Sequence, residues 1–148
     1  MPTPVNNVIA QIAADWVATQ PPDRTTTYPY VYASDETVDP NDQLSHRCFW
    51  FEPSVRGEPL SETSDSSLVP YECQAVLILD SDGFTPDEFR EALANEAALL
   101  ARAIEVRTTW PAGTWEVITR KPDPPRLVDE GSTAVMVTFN IEVLVGED

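Results

Sequence analysis

The order of apolar patterns along the chain predicts an α+β fold, in which helices pack on one face of a mostly antiparallel β-sheet. A helix-like stretch near the start precedes several strand-like stretches, and a second helix-like stretch lies between two further groups of strands. A doubly wound parallel sheet would instead need strands and helices to alternate along the chain. The 148 residues fit a single domain, residues 1–148, which is large enough to bury a core.

Two stretches carry the helical pattern. Residues 5–19 place apolar side chains on one helical face, and the proline pair that follows ends this helix because proline lacks a backbone N–H. The second helix is predicted at about 85–105, where Thr85 can cap, Pro86 suits the first helical position and Glu88 completes a capping box. Its apolar stripe consists of Phe89, Leu93, Ala97, Leu100 and Ile104.

Stretches rich in β-branched and aromatic residues are predicted as strands. They are residues 25–36, 45–53, 71–80, 114–121 and 133–145. The last stretch alternates between apolar and polar residues, which suits the middle of a sheet or a long hairpin with 71–80. Residues 53–70 contain many prolines, serines and glutamates and few core-forming residues, so they are predicted as a long, mobile loop inserted between strands.

The charge balance is the most unusual bulk property of the sequence. Nine Lys and Arg residues stand against twenty-five Asp and Glu, which gives a formal net charge of −16. Such a surface disfavours binding to DNA, RNA and anionic lipid. The simpler interpretation is an acidic surface that keeps the protein solvated. The more specific interpretation is a surface past which DNA moves without binding. No signal-peptide pattern opens the sequence, so we expect a protein made in a cytoplasm and kept or assembled there.

The sequence offers few residues for metal or covalent chemistry. Cys48 and Cys73 lie in separate apolar segments without a metal-binding spacing, so we expect two buried free thiols. A disulfide stays open as an alternative if their strands are neighbours. His46 is the only histidine, which removes most metal sites and most nucleophile–base pairs.

The stretch LILDSDGF at residues 77–84 resembles the aspartate pair of a phosphotransferase or the start of a calcium loop. Both interpretations fail on neighbouring positions. The threonine expected after Gly83 is Phe84, and Thr85 stands where a calcium loop needs glycine. The stretch is therefore predicted to be a turn, with Asp87 and Glu88 complementing the positive end of the helix that follows. No catalytic residue, metal ligand or cofactor site is predicted, and the chain is not expected to be an enzyme.

Two groups of residues are candidates for contacts with other molecules. Trp50, Trp110 and Trp115 could form a ligand-stacking surface, although aromatic residues in strands more often belong to a core or a subunit interface. Arg120, Lys121 and Arg126 gather positive charge around a proline-rich loop. The loop is interpreted either as the solvated end of a hairpin or as a docking point for an acidic patch on a neighbouring copy, with Arg56 as a further candidate for such contacts.

With the elements placed, the chain resembles the tail terminator proteins of long-tailed bacteriophages, the lambda-like minor tail protein group. The segments that carry the resemblance are, in order, YECQAVLILDSDG, TPDEFREALANEAALLARAIE, GTWEVITRK and STAVMVTFNIEVLVGED, preceded by the helical VNNVIAQIAADWVAT. The resemblance covers most of the chain as a pattern of elements and includes no invariant motif.

The resemblance implies a structural virion protein at the head–tail junction, the neck of the particle. Members form a six-membered ring that caps the tail tube, ends its polymerisation and provides the surface to which the head is joined. The implied partners are further copies of the chain, the tail tube protein and a head-completion or connector protein, with DNA only passing through the lumen and no membrane involved. The remaining expectations are that an acidic loop faces the lumen, formed by Asp35, Glu36, Asp39 and Asp42, and that residues 53–70 become ordered against a neighbouring ring.

Two other functions remain as alternatives. A different head-completion, connector or tail-tube protein could share this arrangement of elements. An acidic inhibitor that mimics nucleic acid is supported by the net charge alone.

Overall fold

The computed structural model describes residues 4–19, 30–33, 47–62, 67–81, 84–127 and 133–147. In these ranges the chain forms α1 (Pro4–Ala18), β1 (Val31–Tyr32), β2 (Cys48–Phe51), β3 (Val55–Arg56), β4 (Ser61–Glu62), β5 (Ser67–Asp80), α2 (Pro86–Glu105), β6 (Thr114–Thr119), β7 (Arg126–Leu127) and β8 (Ala134–Glu147). The strands form one sheet in the order β1-β2-β5-β8-β6. All pairings except the parallel β1–β2 pair are antiparallel. The predicted α+β class is confirmed.

The long strands β5 and β8 form the centre of the sheet. They pair along their whole length, from Ser67 opposite Glu147 to Asp80 opposite Ala134. This is the long hairpin-like pairing predicted from the alternation of residues 133–145. The apolar residues of this alternation, which share one face of β8, are all buried: Val135, Val137, Phe139, Ile141, Val143 and Val145.

Both helices cover the same face of this sheet, which we call the helix face. The core joins residues of α1, α2, β2, β5 and β8: Val5, Val8, Ile12, Ala13, Trp16, Phe49, Val69, Tyr71, Ala75, Leu77, Leu79, Leu100, Ile104, Val137, Phe139, Ile141, Val143 and Val145. Because side chains alternate between faces along a strand, the even-numbered residues of β5 and β8 point to the second face. That face is polar at its centre, where Glu72 and Gln74 lie opposite Glu142 and Asn140.

The predicted start of α2 is confirmed at the level of its cap. Thr85 has an extended backbone, its hydroxyl oxygen accepts a hydrogen bond from the Glu88 N–H at 3.2 Å, and Pro86 opens the helix. The Glu88 carboxylate accepts a hydrogen bond from the Thr85 hydroxyl at 2.9 Å. The first of these contacts satisfies one of the backbone donors that a helix start leaves open, and the second holds the two side chains together.

The structure corrects the prediction of a long unpaired loop at residues 53–70. β3 pairs with Glu72 and Tyr71 of β5, β4 pairs with Leu68 and Ser67, and β5 itself begins at Ser67. Prolines and serines are typical of loops, but here β5 supplies the pairing partners. The backbone N–H groups of the intervening residues nevertheless reach carbonyl groups of β5. For the described part of this segment, pairing within the single chain also argues against the expectation that it is ordered only by a neighbouring ring.

The predicted turn after β5 agrees with the contacts of its described residues. Phe84 N–H donates to the Ser81 carbonyl at 3.1 Å, and Ser81 N–H donates to the Thr133 carbonyl at 2.9 Å. Asp82 and Gly83 lie outside the described residues, as do His46, most of the predicted strand at 25–36 and residues 128–132. Neither described helix is both long enough and apolar enough to cross a membrane.

Cys48 and Cys73 are free thiols and both are buried, as predicted. Phe49, next to Cys48, pairs with Leu77, which lies four positions beyond Cys73 on β5. Burial raises the pKa of the Cys48 thiol, and burial together with the charge of Glu52 raises the pKa of the Cys73 thiol to about 11.

Both thiols should therefore react slowly in the native protein. With a pKa of about 11, only roughly one Cys73 thiol in a thousand is a thiolate at pH 8, and the thiolate is the nucleophile. We expect Ellman's reagent to label the native protein far more slowly than the denatured protein, and to count two thiols per chain in denaturant. The Cys48→Ser variant, as a control, should give one. A count below two for the unmodified chain in denaturant would indicate a disulfide and contradict the prediction.

Candidate assembly surface at the edges of the sheet

The exposed apolar side chains are concentrated at the edges of the sheet. Eight large apolar side chains in the described residues are at least 43% exposed, and six of them lie in or beside edge strands. They are Val31 and Tyr32 in β1, Val55 in β3, Leu60 beside β4, Trp115 in β6 and Leu127 in β7. An edge strand also carries backbone groups that no strand of its own sheet uses, so exposed apolar residues there are candidates for contacts with another molecule.

One edge is formed by residues 52–62, which we call the acidic strip. It contains three acidic residues against one basic residue, and Glu52, Glu58, Val55 and Leu60 are exposed. β3 is held against β5 by hydrogen bonds on both sides of it, from Glu52 N–H to the Gln74 carbonyl and from Gly57 N–H to the Pro70 carbonyl, each 2.8 Å. The acidic strip is therefore a defined edge of the sheet.

Gly57 allows the acidic strip to lie this close to β5. A Cβ atom at this position would lie 3.1 Å from Pro70 Cγ and 3.2 Å from the Pro70 carbonyl oxygen. Both distances are tighter than ordinary van der Waals contact, and one of them involves backbone. A side chain here would push the strip away from the sheet.

Arg56 is tied to the end of the sheet from within the acidic strip. Its guanidinium lies 3.0 Å from a carboxylate oxygen of Glu147, and the Tyr71 hydroxyl donates to the other oxygen. The hydrogen bond from Tyr71, followed by the one from Arg56, lowers the pKa of Glu147, and the same contact raises the pKa of Tyr71. Arg56 therefore has a carboxylate partner within its own chain.

The opposite edge includes residues 120–127, which we call the basic strip. It contains Arg120, Lys121 and Arg126 against a single acidic residue, Asp123. It follows β8 irregularly, with backbone hydrogen bonds from Arg120 to Asn140 at 2.9 Å and from Asp123 to Thr138 at 3.0 Å. The prolines of this segment have no N–H to donate, and only the end of the strip, β7, pairs with β8 as a regular strand.

The cations of the basic strip differ in their partners. Arg120 lies 3.2 Å from a Glu142 carboxylate oxygen on the second face. Among the described residues, Lys121 has no carboxylate within 4.0 Å, and the Arg126 guanidinium contacts the Met136 sulfur at 3.9 Å. Lys121 and Arg126 are both exposed, so their charge is available to another molecule.

The four predicted contact cations do not form one patch. Arg56 lies in the acidic strip, while Arg120, Lys121 and Arg126 lie on the far side of β5 and β8. Asp35, Glu36, Asp39 and Asp42, the predicted lumen-facing residues, lie outside the described residues.

An apolar groove adjoins the basic strip. It has a volume of about 790 Å³ and lies between α2 and the prolines of the basic strip, with Val137 among the residues that line it. Three charged residues, Arg90, Lys121 and Asp123, also line it. The rest of the lining is apolar and mostly small: Leu93, Ala94, Ala97, Ala98, Ala101, Pro122, Pro124 and Pro125. The basic edge therefore combines charge with apolar surface.

The three tryptophans considered as a stacking surface are not brought together. Trp50 lies in β2 and donates from Nε1 to Glu52 at 3.1 Å, and Trp110 packs against the core with the Arg107 guanidinium 5.3 Å from its ring centre. Trp115 lies in β6, across β5 and β8 from Trp50, at a shift in the β6–β8 register. Such a bulge redirects a side chain, and Trp115 is 74% exposed.

A buried ion pair was missed by the sequence analysis. Arg47 Nε donates to a Glu96 carboxylate oxygen at 2.6 Å, and a second guanidinium nitrogen reaches the other oxygen at 3.2 Å. Tyr30 donates to the same carboxylate at 2.7 Å. Burial, followed by the charge of Glu96, raises the pKa of Tyr30. Arg47 also has a left-handed backbone, with φ of 65°, at the start of β2.

This cluster fastens β1 and β2 to α2 and is at most 1% exposed. The signal for it was present in the sequence, because Glu96 follows Leu93 by three positions and precedes Leu100 by four. A carboxylate at that spacing falls on the buried side of an amphipathic helix. In the described ranges, no three His, Cys, Asp or Glu residues are grouped so as to hold a metal ion.

Comparison of the chain with protein-family models and with curated proteins gives no match.

Proposed function

We propose that the chain is a ring-forming structural protein of the phage tail terminator type, which caps a tail tube and joins it to the head. The observation that supports this proposal best is the pair of unlike exposed edges on one sheet. The acidic strip and the basic strip lie on opposite sides of β5 and β8, and each carries exposed apolar residues.

Unlike surfaces on opposite sides of a subunit favour head-to-tail association. A contact between different surfaces leaves one free surface of each kind at the ends of every chain of subunits. Such an assembly closes into a ring when the rotation between neighbours allows it, and otherwise grows into a filament. A ring is what a cap at the end of a tube requires.

The net charge of −16 also suits a passage for DNA. Phosphates that move past carboxylates find few cations with which to pair, so DNA slides through without binding. Within this proposal, the acidic stretch with Asp35, Glu36, Asp39 and Asp42 faces the lumen.

The test is to examine the purified chain by multi-angle light scattering and negative-stain electron microscopy, and to label it with antibody on intact particles. We expect closed rings of six subunits and label only at the head–tail junction. Label along the tail would identify a tube protein, which also needs head-to-tail contacts. Monomers in solution together with unlabelled particles would reject the proposal.

A further inference from the structure

We propose that neighbouring copies contact each other through the basic strip of one copy, residues 120–127, and the acidic strip of the next, residues 52–62. This inference rests on the ring function proposed above and deepens it, because it names the two surfaces that meet. The partner at each edge is a second copy of this chain.

Charge complementarity is the first argument. Lys121 and Arg126 are exposed and have no carboxylate within 4.0 Å among the described residues. Glu52 and Glu58 are exposed on the opposite edge. In a protein with nine basic residues in total, two available cations on one short edge mark the surface best suited to an acidic partner.

The exposed apolar side chains give the second argument. On the basic strip, Leu127 follows Arg126 and is 58% exposed. On the acidic strip, Val55 and Leu60 are 65% and 63% exposed, and both lie near Glu58 in the sequence. Contact between the strips would remove these side chains from water together. The same contact would place the cations of one strip beside the carboxylates of the other at its border. Protein interfaces commonly have such an apolar centre and a polar border.

The alternative contact between two identical edges is disfavoured by the same charges. Two basic strips would bring Lys121 and Arg126 of one copy against the same residues of another, and two acidic strips would oppose Glu52 and Glu58. Repulsion between identical edges therefore selects the unlike pairing, which is the pairing that produces rings.

Reversing the charge of each strip tests the contact. One variant carries Lys121→Glu and Arg126→Glu, and the other carries Glu52→Lys and Glu58→Lys. Each variant alone would present two edges of the same sign, so we expect its self-association, measured by analytical ultracentrifugation, to weaken by about tenfold or more. An equal mixture of the two variants should restore association, because each edge of one variant then complements an edge of the other.

Two controls separate the contact from general effects of charge. Arg102→Glu lowers the net charge, as the basic-strip variant does, at an exposed residue of α2 that belongs to neither strip, and should leave association unchanged. For the unmodified chain, association should weaken when salt rises from about 0.15 M to 1 M, because the Debye length falls from about 8 Å to 3 Å. Circular dichroism confirms that each variant is folded.

The possible failures are distinguishable. If the unmodified chain and Arg102→Glu form rings and both strip variants form them equally well, the contact proposed here is wrong and the ring function stands. If the mixture fails to restore association that each variant has lost, the pairing of the strips is wrong. If the unmodified chain stays monomeric at every salt concentration and particles carry no label at the head–tail junction, both the contact and the function are rejected.

Discussion

Replacing Glu96 by leucine should lower the free energy of unfolding by about 3–5 kcal/mol. The carboxylate accepts two hydrogen bonds from Arg47 and one from Tyr30, at 2.6, 3.2 and 2.7 Å. Glu96 is 1% exposed and Arg47 is 0% exposed. A buried guanidinium that loses its carboxylate keeps its desolvation cost without the attraction that compensated it. The measurement is urea unfolding followed by circular dichroism, with the slope of the transition checked for constancy.

The double variant Glu96→Leu with Arg47→Met distinguishes the ion pair from the packing around it. Replacing both partners of a buried pair with apolar residues of similar size is often neutral or stabilising. We therefore expect the double variant to be more stable than Glu96→Leu. The exposed Asp87–Arg90 pair, at 3.4 Å, is the control, and Arg90→Ala should change stability by only a few tenths of a kcal/mol. If the Glu96→Leu variant is as stable as that control, the buried ion pair makes no net contribution to the free energy of unfolding.

The elements that the sequence predicted best are those whose signals are local. The cap of α2 depends on Thr85, Pro86 and Glu88 within four consecutive positions, and the structure forms it. The alternation of β8 is likewise contained in one strand, and its odd-numbered apolar residues are buried as predicted, although Thr138 and Leu144 on the second face are buried as well. In both places the side chains that decide the structure are neighbours in sequence.

The features that the sequence analysis missed depend on residues that are distant in sequence. Arg47 and Glu96 are 49 positions apart, so no local pattern pairs them, although the spacing of Glu96 from Leu93 and Leu100 indicates a buried position. β3 and β4 were missed for a related reason, since their pairing is supplied by β5 and owes little to β-branched residues of their own. Propensity is a weak guide where a neighbouring strand provides the partner.

The candidate assembly surface was anticipated only in part. The cluster of Arg120, Lys121 and Arg126 is visible in the sequence because the three lie within seven positions. That Arg56 belongs to the opposite edge follows from sheet order, which no local pattern encodes. The sequence thus identified one side of the proposed contact, and the topology supplied the other.

Replacing Trp16 by alanine is expected to lower the free energy of unfolding by about 3–5 kcal/mol. Trp16 is fully buried, and its ring lies 5.2 Å from Phe49, 5.7 Å from Phe51 and 5.2 Å from Phe139, measured between ring centres. Its Nε1 donates to the Leu100 carbonyl at 3.0 Å. One side chain of α1 thus contacts β2, β8 and α2 at once. Trp16→Phe keeps an aromatic ring but loses the hydrogen bond and part of the volume, so it should cost about 1–3 kcal/mol.

Trp115→Ala is the matched control, because it makes the same chemical change at a side chain that is 74% exposed. Its free energy of unfolding should stay within about 0.5 kcal/mol of that of the unmodified chain, because most of the Trp115 side chain is already in contact with water in the folded state. Under the ring proposal, however, Trp115→Ala should weaken self-association, because Trp115 lies on the edge that carries the basic strip. Trp16→Ala, by contrast, should mainly lower the free energy of unfolding. If chemical denaturation and ultracentrifugation instead give the two variants the same profile, one tryptophan cannot be assigned to the core and the other to assembly.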